Sequence, residues 1–264
     1  MIFLFPNDCF DPQKPDAVYR DRYLAFKQAG FQTALIEIES LDSPNASIYP
    51  ASLAQDLIVY LGWMLSAENY RLLTKIIHGA GATPFTSNEE YLATHYLPNW
   101  YPLIQDLTPE TRIYAANEDL VAKLAQLNWS RYFIKDYVKS LKTSVGAIID
   151  RPEQINIVLA EMKKYRGVIE GGVCVRRVED FLPKTEQRYF VINHQPFAAD
   201  LDLDIPQLVQ ECATRIESNF FSVDVIQRAD GALRIVEIGD GQVSDLVGWS
   251  VDRTIQIWQN AIGS

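Results

Sequence analysis

Cysteine is nearly missing from this chain of 264 residues. Cys9, Cys174 and Cys212 are the whole supply, an odd number with no CxxC spacing and no Cys/His ligand pattern. That excludes a disulfide framework and a thiolate metal site, and buried free thiols in a reducing compartment are expected. Histidine is as sparse: His78, His95 and His194 assemble no site and read as structural. Positive charge is short too, with 24 Lys and Arg against 34 Asp and Glu, a net charge of −10 and a pI near 4.8. Acidity of that size disfavours nucleic acid as a partner, which needs a basic face, while leaving room for a local basic pocket. No apolar run approaches the ~20 residues of a membrane span. The opening MIFLFPNDCF has no basic n-region and reads as a first strand, so a cytoplasmic protein is expected. GxSxG and GxxxxGK[ST] are absent, and Gly79-Ala80-Gly81 follows a helix rather than a strand, which makes it a turn and not a dinucleotide loop.

What is present is core material. The chain is 48% hydrophobic, enough for one large or two ordinary domains. Ile2 to Phe5 reads as a buried strand, Pro15 as the opening of a helix bearing Tyr19, Tyr23 and Phe26, and Phe31 to Ile38 as a second strand. Asp56 to Leu61 is a third, followed by a helix capped by Ser66. This β-loop-helix-β start predicts an α/β unit with a parallel sheet. Trp63, just past a strand's carboxyl end, sits where such sheets bind ligands; packing under a loop is its plainer reading. Ser87 to Glu90 is a capping box. Leu97 to Pro109, with Pro98, Pro102 and Pro109, marks the expected boundary between residues 1–100, an N-terminal α/β domain, and 101–264, with α+β character.

Beyond that boundary, Asn117 is expected to cap a helix containing Leu120 and Leu124. Trp129 to Val138 is strand-like with Lys135 in its middle, and Lys139 to Ser144 is a polar loop with two more ammonium groups. A phosphate cradle and a solvated lysine on an edge strand both fit. Asp150 to Glu153 opens a helix. Val168 to Phe181 is a strand with a Gly-Gly break that turns charged at Arg176, Arg177, Glu179 and Asp180. Another strand follows from Glu186, then a helix capped by Asp204, and a closing helix spans Val251 to Ile262.

Phe220 to Asp245 organises the rest. Asp230-Gly231 between two β-rich runs is a strong hairpin signal, and a two-residue turn pairs Ala229 with Ala232, Ile226 with Ile235 and Asp224 with Glu237. Opposed carboxylates repel unless a cation lies between them. Mg²⁺ suits two carboxylates plus substrate phosphates, and Asp240 offers a third oxygen. A solvated acidic edge, or a nearby Lys or Arg, is the alternative.

The strand lysine, charged hinge and Asp/Glu hairpin together resemble the ATP-grasp superfamily from about Ala116 onward, and within it the clade named for two arginines and a lysine. The resemblance implies an N-terminal pre-ATP-grasp domain followed by an ATP-grasp domain, with a lid-side part at about 116–182 and a metal-binding part at 183–264. It implies ATP and Mg²⁺ as cofactors. Lys135, with Lys139 and Arg177, would hold phosphates, and the backbone of Glu179-Asp180-Phe181-Leu182 would meet the adenine. Glu186 would take the ribose hydroxyls, Arg188 a carboxylate or acyl phosphate, and Asp224, Glu237 and Asp240 the metal. The implied activity is ADP-forming carboxylate–amine ligation through an acyl phosphate, acting on small-molecule or peptide substrates. The usual Asn two residues after the hairpin Glu is Gly239 here, which favours a non-catalytic nucleotide sensor as the rival reading.

Overall fold

The computed structural model describes residues 1–43, 46–50, 56–138, 140 and 145–263. Two compact units divide the chain: Met1–Ala93 with Arg188–Val223 and Gly239–Ser264, and Thr94–Gln187 with Asp224–Ile238. The first begins with β1 (Ile2–Pro6), α1 (Arg20–Gln28), β2 (Gln32–Ile36), β3 (Ile48–Tyr49), β4 (Leu57–Tyr60), α2 (Ala67–Gly79), β5 (Thr83–Pro84) and α3 (Asn88–His95). Its sheet runs β3-β2-β1-β4-β5, all parallel except β3, as the sequence pattern predicts. β1 is buried at every residue, and alternation splits it: Phe3 and Phe5 pack with Phe26 and Trp258, Ile2 and Leu4 with Ala34, Ile58 and Tyr70. α1 starts at Arg20 rather than Pro15, because Asp16 first bends the chain by accepting from the Val18 N–H at 2.7 Å. Ser66 caps α2 as expected, accepting from the Asn69 N–H. The Ser87/Glu90 capping box closes in both directions, at 2.6 and 3.1 Å.

The second unit holds α4 (Leu97–Ile104), β6 (Thr111–Tyr114), α5 (Leu120–Ala125), β7 (Tyr132–Asp136), β8 (Ile148–Ile149), α6 (Ile155–Arg166) and β9 (Val173–Arg177). Asp119, not Asn117, caps α5, accepting from the Ala122 N–H. The sheet runs β6-β9-β7-β8 with antiparallel pairs throughout. Tyr132, Ile134, Val173 and Val175 bury one face against Leu124, Val158 and Met162. The other face carries Phe133 opposite Arg176 and Lys135 opposite Cys174. The Gly-Gly break is a close approach, since a Cβ on Gly172 would lie 2.5 Å from the Tyr114 carbonyl oxygen.

A second four-stranded sheet, ordered β11-β10-β12-β13, comprises β10 (Gln187–Ile192), β11 (Gln195–Ala198), β12 (Phe220–Gln227) and β13 (Leu233–Asp240). α7 (Gln207–Arg215) follows Pro206 with no side-chain cap, so Asp204 does not cap it. α8 (Val251–Gly263) places Trp258 edge-on to Phe3, Phe85 and Phe220.

The hairpin turn has three residues rather than two. Arg228 N–H donates to the Ala232 carbonyl, Gly231 N–H donates to the Arg228 carbonyl, and Gly231 has φ +88°. Ala232 therefore faces Arg228, not Ala229, and the predicted pairing is off by one at the tip. It does not stay off. A Cβ on Gly239 would lie 3.2 Å from Ser222 Oγ, so those two share a face and are neighbours. From Arg228 back to Ser222 is six residues, and from Ala232 on to Gly239 is seven. β13 thus carries one extra residue, a bulge, and Val236 and Glu237, both half-buried between the buried Ile235 and Ile238, are its mark. Beyond it the register is the one that sets Asp224 across from Glu237.

Candidate active site

That cleft, of about 570 Å³, opens in the second unit between the Lys135 face of β7 and β9, the hinge after β9, and the bulged hairpin. Phe133, Ile148, Phe181, Ile226 and Val236 give it apolar walls; Lys135, Arg176, Glu186 and Glu237 give it charge. Lys135 is almost wholly enclosed, its side chain 4% exposed, and its Nζ donates to Glu237 Oε1 at 3.3 Å. Beneath it, burial pushes the Cys174 thiol up to about 12, which leaves no thiolate there to compete for the ammonium.

The hinge is pinned to the hairpin tip. Leu182 N–H donates to the Gln227 carbonyl and Ala229 N–H to the Asp180 carbonyl. Glu179 accepts from Arg228 at 3.3 Å and from both Nε and Nη2 of Arg234 at 3.1 Å. A segment held this way presents its backbone at a fixed height in the cleft. Asp180 itself points out, its side chain 85% exposed beside Arg131.

Of the expected residues, Lys135, Arg177, Glu179, Asp180, Phe181, Glu186 and Glu237 line the cleft. Lys139 lies outside the described residues, as does most of its loop. Leu182 and the buried Asp224 adjoin the cleft's hinge and hairpin without lining it. Arg177 turns from the Lys135 face by alternation along β9, and its nearest carboxylate is Glu110 at 4.0 Å. Arg188 and Asp240 belong to the other unit. Arg188 there donates to the Asp245 carbonyl at 2.7 Å. Asp240 has no exposed surface; its Oδ1 accepts from Gln242 N and Nε2, and burial raises its carboxyl to about 8. Asp240 is thus enclosed and belongs to the other unit, so Asp224 and Glu237 are the two hairpin acids in the unit that holds the cleft. Among the described residues no group of three or more His, Cys, Asp or Glu is placed to hold a metal ion.

Arg176 is the residue that sequence reasoning passed over. It is 5% exposed, its Nη1 donates to the Val236 carbonyl at 2.5 Å and its Nε to Thr111 Oγ1 at 3.4 Å. Burial draws its pKa down, with the Glu237 charge pulling the other way. The two arginines of Arg176-Arg177 look alike in sequence, and only the register with Phe133 tells which one faces the lysine.

Other expectations resolve elsewhere. Cys174 and Cys212 are buried, but Cys9 is exposed. Trp63 stands 44% exposed against Tyr19 and Asp16 at the rim of a separate cavity of about 390 Å³ in the first unit. His78 and His194 each bond a backbone carbonyl through Nδ1, in keeping with structural roles. Among the described residues no helix is long and apolar enough to cross a membrane.

Residues 101–260 match the family model for the ATP-grasp domain, family 3 of the clade named for two arginines and a lysine. No curated relative matches the sequence. Among solved structures the chain is similar to D-cycloserine synthetase DcsG, at 12% identity and TM-score 0.64, over 98% of this chain and 99% of that one. It is also similar to the RimK domain ATP-grasp protein from Sphaerobacter thermophilus (15%, TM-score 0.62, 99% and 100%). A third is ATP-grasp ligase PsnB, solved with its precursor peptide PsnA2 and AMPPNP (11%, TM-score 0.63, 98% and 96%).

Proposed function

Given that the chain belongs to the ATP-grasp domain family, in the third family of the two-arginine-and-lysine clade, we propose that it is an ATP-dependent ligase that joins a carboxylate to an amine. The observation that carries this reading is the cleft itself: apolar walls and a pinned hinge at one end, the Lys135–Glu237 pair at the other. A purine fits the first and a polyphosphate the second. Solved relatives carry AMPPNP, or Mg and ADP, alongside peptide substrates, which supports the same reading.

In this reading the hinge backbone from Glu179 to Leu182 meets the base and Glu186 the ribose. Lys135 leaves Glu237 for phosphate oxygens. Asp224 and Glu237 would hold Mg²⁺, which when bound offsets charge on the phosphates. A substrate carboxylate oxygen attacks the γ-phosphorus; that O–P bond forms as the bond to the β-phosphate oxygen breaks, and ADP leaves. The amine nitrogen then attacks the acyl carbon, phosphate leaves, and the nitrogen gives up a proton to form the amide. Lys135 steadies the charge that accumulates on the phosphoryl oxygens. The substrates are small-molecule or peptide carboxylates and amines. The test is ADP release with a panel of both, in Mg²⁺, comparing wild type with Asp224→Asn and Glu237→Gln. Release that needs both substrates and disappears in the variants supports the ligase; release unaltered in the variants rules out the metal role.

One observation favours a second reading, nucleotide binding without turnover. Gly239 occupies the place of the family's usual Asn, and the room for a side chain is filled by the Ser222 and Ser244 hydroxyls, bonded to each other at 2.8 Å. Nucleotide binding with no ADP release across the whole panel would select it.

A further inference from the structure

The hinge is a partition, with a second and larger cavity behind it. That cavity, of about 1000 Å³, lies wholly in the second unit, between the start of β6, the end of β9, the segment after α4 and the hairpin tip. Arg131, Arg177, Val178, Glu179 and Asp180 line both spaces, whereas Thr108, Arg112, Arg228 and Arg234 line only the rear one. Five arginines and no lysine stand in its wall, in a chain with only 24 Lys and Arg and a net charge of −10. Asp106, Asp230 and Glu179 balance Arg228 and Arg234 at the hairpin side. The strand side is left positive. There Glu110 accepts from Arg112 at 2.6 Å and lies 4.0 Å from Arg177, so two guanidiniums share one carboxylate. Arg131 reaches Asp180 at 3.3 Å, a carboxylate 85% exposed and screened by water. Two hydroxyls add donors. Thr108 is 1% exposed, and its Oγ1 has no hydrogen-bond partner among the described residues. Tyr101 accepts from Thr111 N–H at 3.0 Å, which leaves its own O–H to donate. A buried hydroxyl without a partner is costly, and one lining a cavity is prepared for an acceptor from outside.

We propose that this rear cavity is a second anion site. It takes a compact ligand with two or more carboxylate or phosphoryl charges, held by Arg112, Arg131 and Arg177, with Thr108 Oγ1 donating to it. Guanidinium forks meet such oxygens two at a time, which a lysine in their place would not do. The need for more than one charge follows from the strand pairing. Arg112 pairs with Val175, so Arg177, two residues on, is its diagonal neighbour on the same face of the sheet, roughly 7–8 Å away. A singly charged ion would only exchange with Glu110 for one fork. A ligand with two charges spans both forks and so competes with that carboxylate.

The test is calorimetric titration of citrate and of pyrophosphate into wild type, Arg112→Gln, Thr108→Val and Lys135→Gln. ADP is present in excess, no metal ion is added because both anions chelate, and each unliganded melting temperature serves as a fold control. One anion should bind per chain, with the same affinity in wild type and in Lys135→Gln, whose lysine lines only the cleft. Arg112→Gln should weaken it by about 10-fold or more, the worth of a charge-assisted hydrogen bond. Thr108→Val should weaken it by a smaller factor with no fall in melting temperature, since that hydroxyl satisfies nothing in the free protein. Tighter citrate identifies a polycarboxylate ligand and tighter pyrophosphate a phosphorylated one, and either supports the site. Failure of both anions to bind overturns it. So does binding that Arg112→Gln spares, and binding that Lys135→Gln abolishes, which puts the anion in the cleft.

Discussion

Lys135 and Glu237 form an asymmetric ion pair: 3.3 Å apart, the ammonium 4% exposed and the carboxylate 45%. The two ends do not cost the same to orphan. Glu237→Gln strands a nearly enclosed positive charge, whereas Lys135→Met leaves a carboxylate that water already reaches. Glu237→Gln should therefore be the less stable variant, by about 1–3 kcal/mol in urea unfolding. Equal stabilities would mean that the difference in exposure does not set the cost of orphaning either end.

The hairpin acids should also be separable from the lysine by what stabilises the protein. A ligand that binds only the native state raises the melting temperature. With ADP present, added Mg²⁺ should raise it further in wild type but not in Asp224→Asn or Glu237→Gln. A normal Mg²⁺ increment in both variants would put the ion elsewhere.

Glu90 does more than close its capping box. One carboxylate oxygen accepts from Ser87 N–H, and the other accepts from Asn219 N–H at 3.0 Å, within the same unit. Ser87→Ala removes one cap and should cost about 1 kcal/mol. Glu90→Ala removes two acceptors and should cost about twice that or more in the same unfolding measurement. Equal costs would show that the Asn219 bond is idle.

Local signals were legible in the sequence where they did not depend on a distant partner. The continuous apolar run of β1, the Ser66 cap and the Ser87/Glu90 box all stand as read. The Asp230-Gly231 turn was legible as a turn but not in type, because Asp230 also accepts from the Ala232 N–H and Gly231 takes the bulge position. A second irregularity at Val236–Glu237 then restores the expected offset. Neither shift is written in the residues themselves. Arg176 was illegible for a related reason: which face of β9 meets the cleft is settled by pairing with β7, forty-three residues earlier at Phe133. Asp240 reads in sequence as an acid just past a strand that could offer a metal a third oxygen, and only the packing around Gln242 reveals it as enclosed.

That enclosure sets a pH dependence. Burial raises the Asp240 carboxyl to about 8, while its unfolded counterpart sits near 3.9. The folded protein thus holds a proton that the unfolded chain releases between those values, and stability contributed by this group falls as pH rises through that window. Below about 4 both states are protonated and the effect vanishes; above about 8 both are ionised and it is at its largest and constant. Asp240→Asn keeps an oxygen for Gln242 N and Nε2 and cannot ionise. Its stability relative to wild type should therefore climb steadily from pH 4 to pH 8 and level off. Denaturant unfolding of the two proteins side by side cancels every other titrating group. A difference that stays flat across the window would show that the carboxyl ionises freely in the folded state, and so that water reaches it.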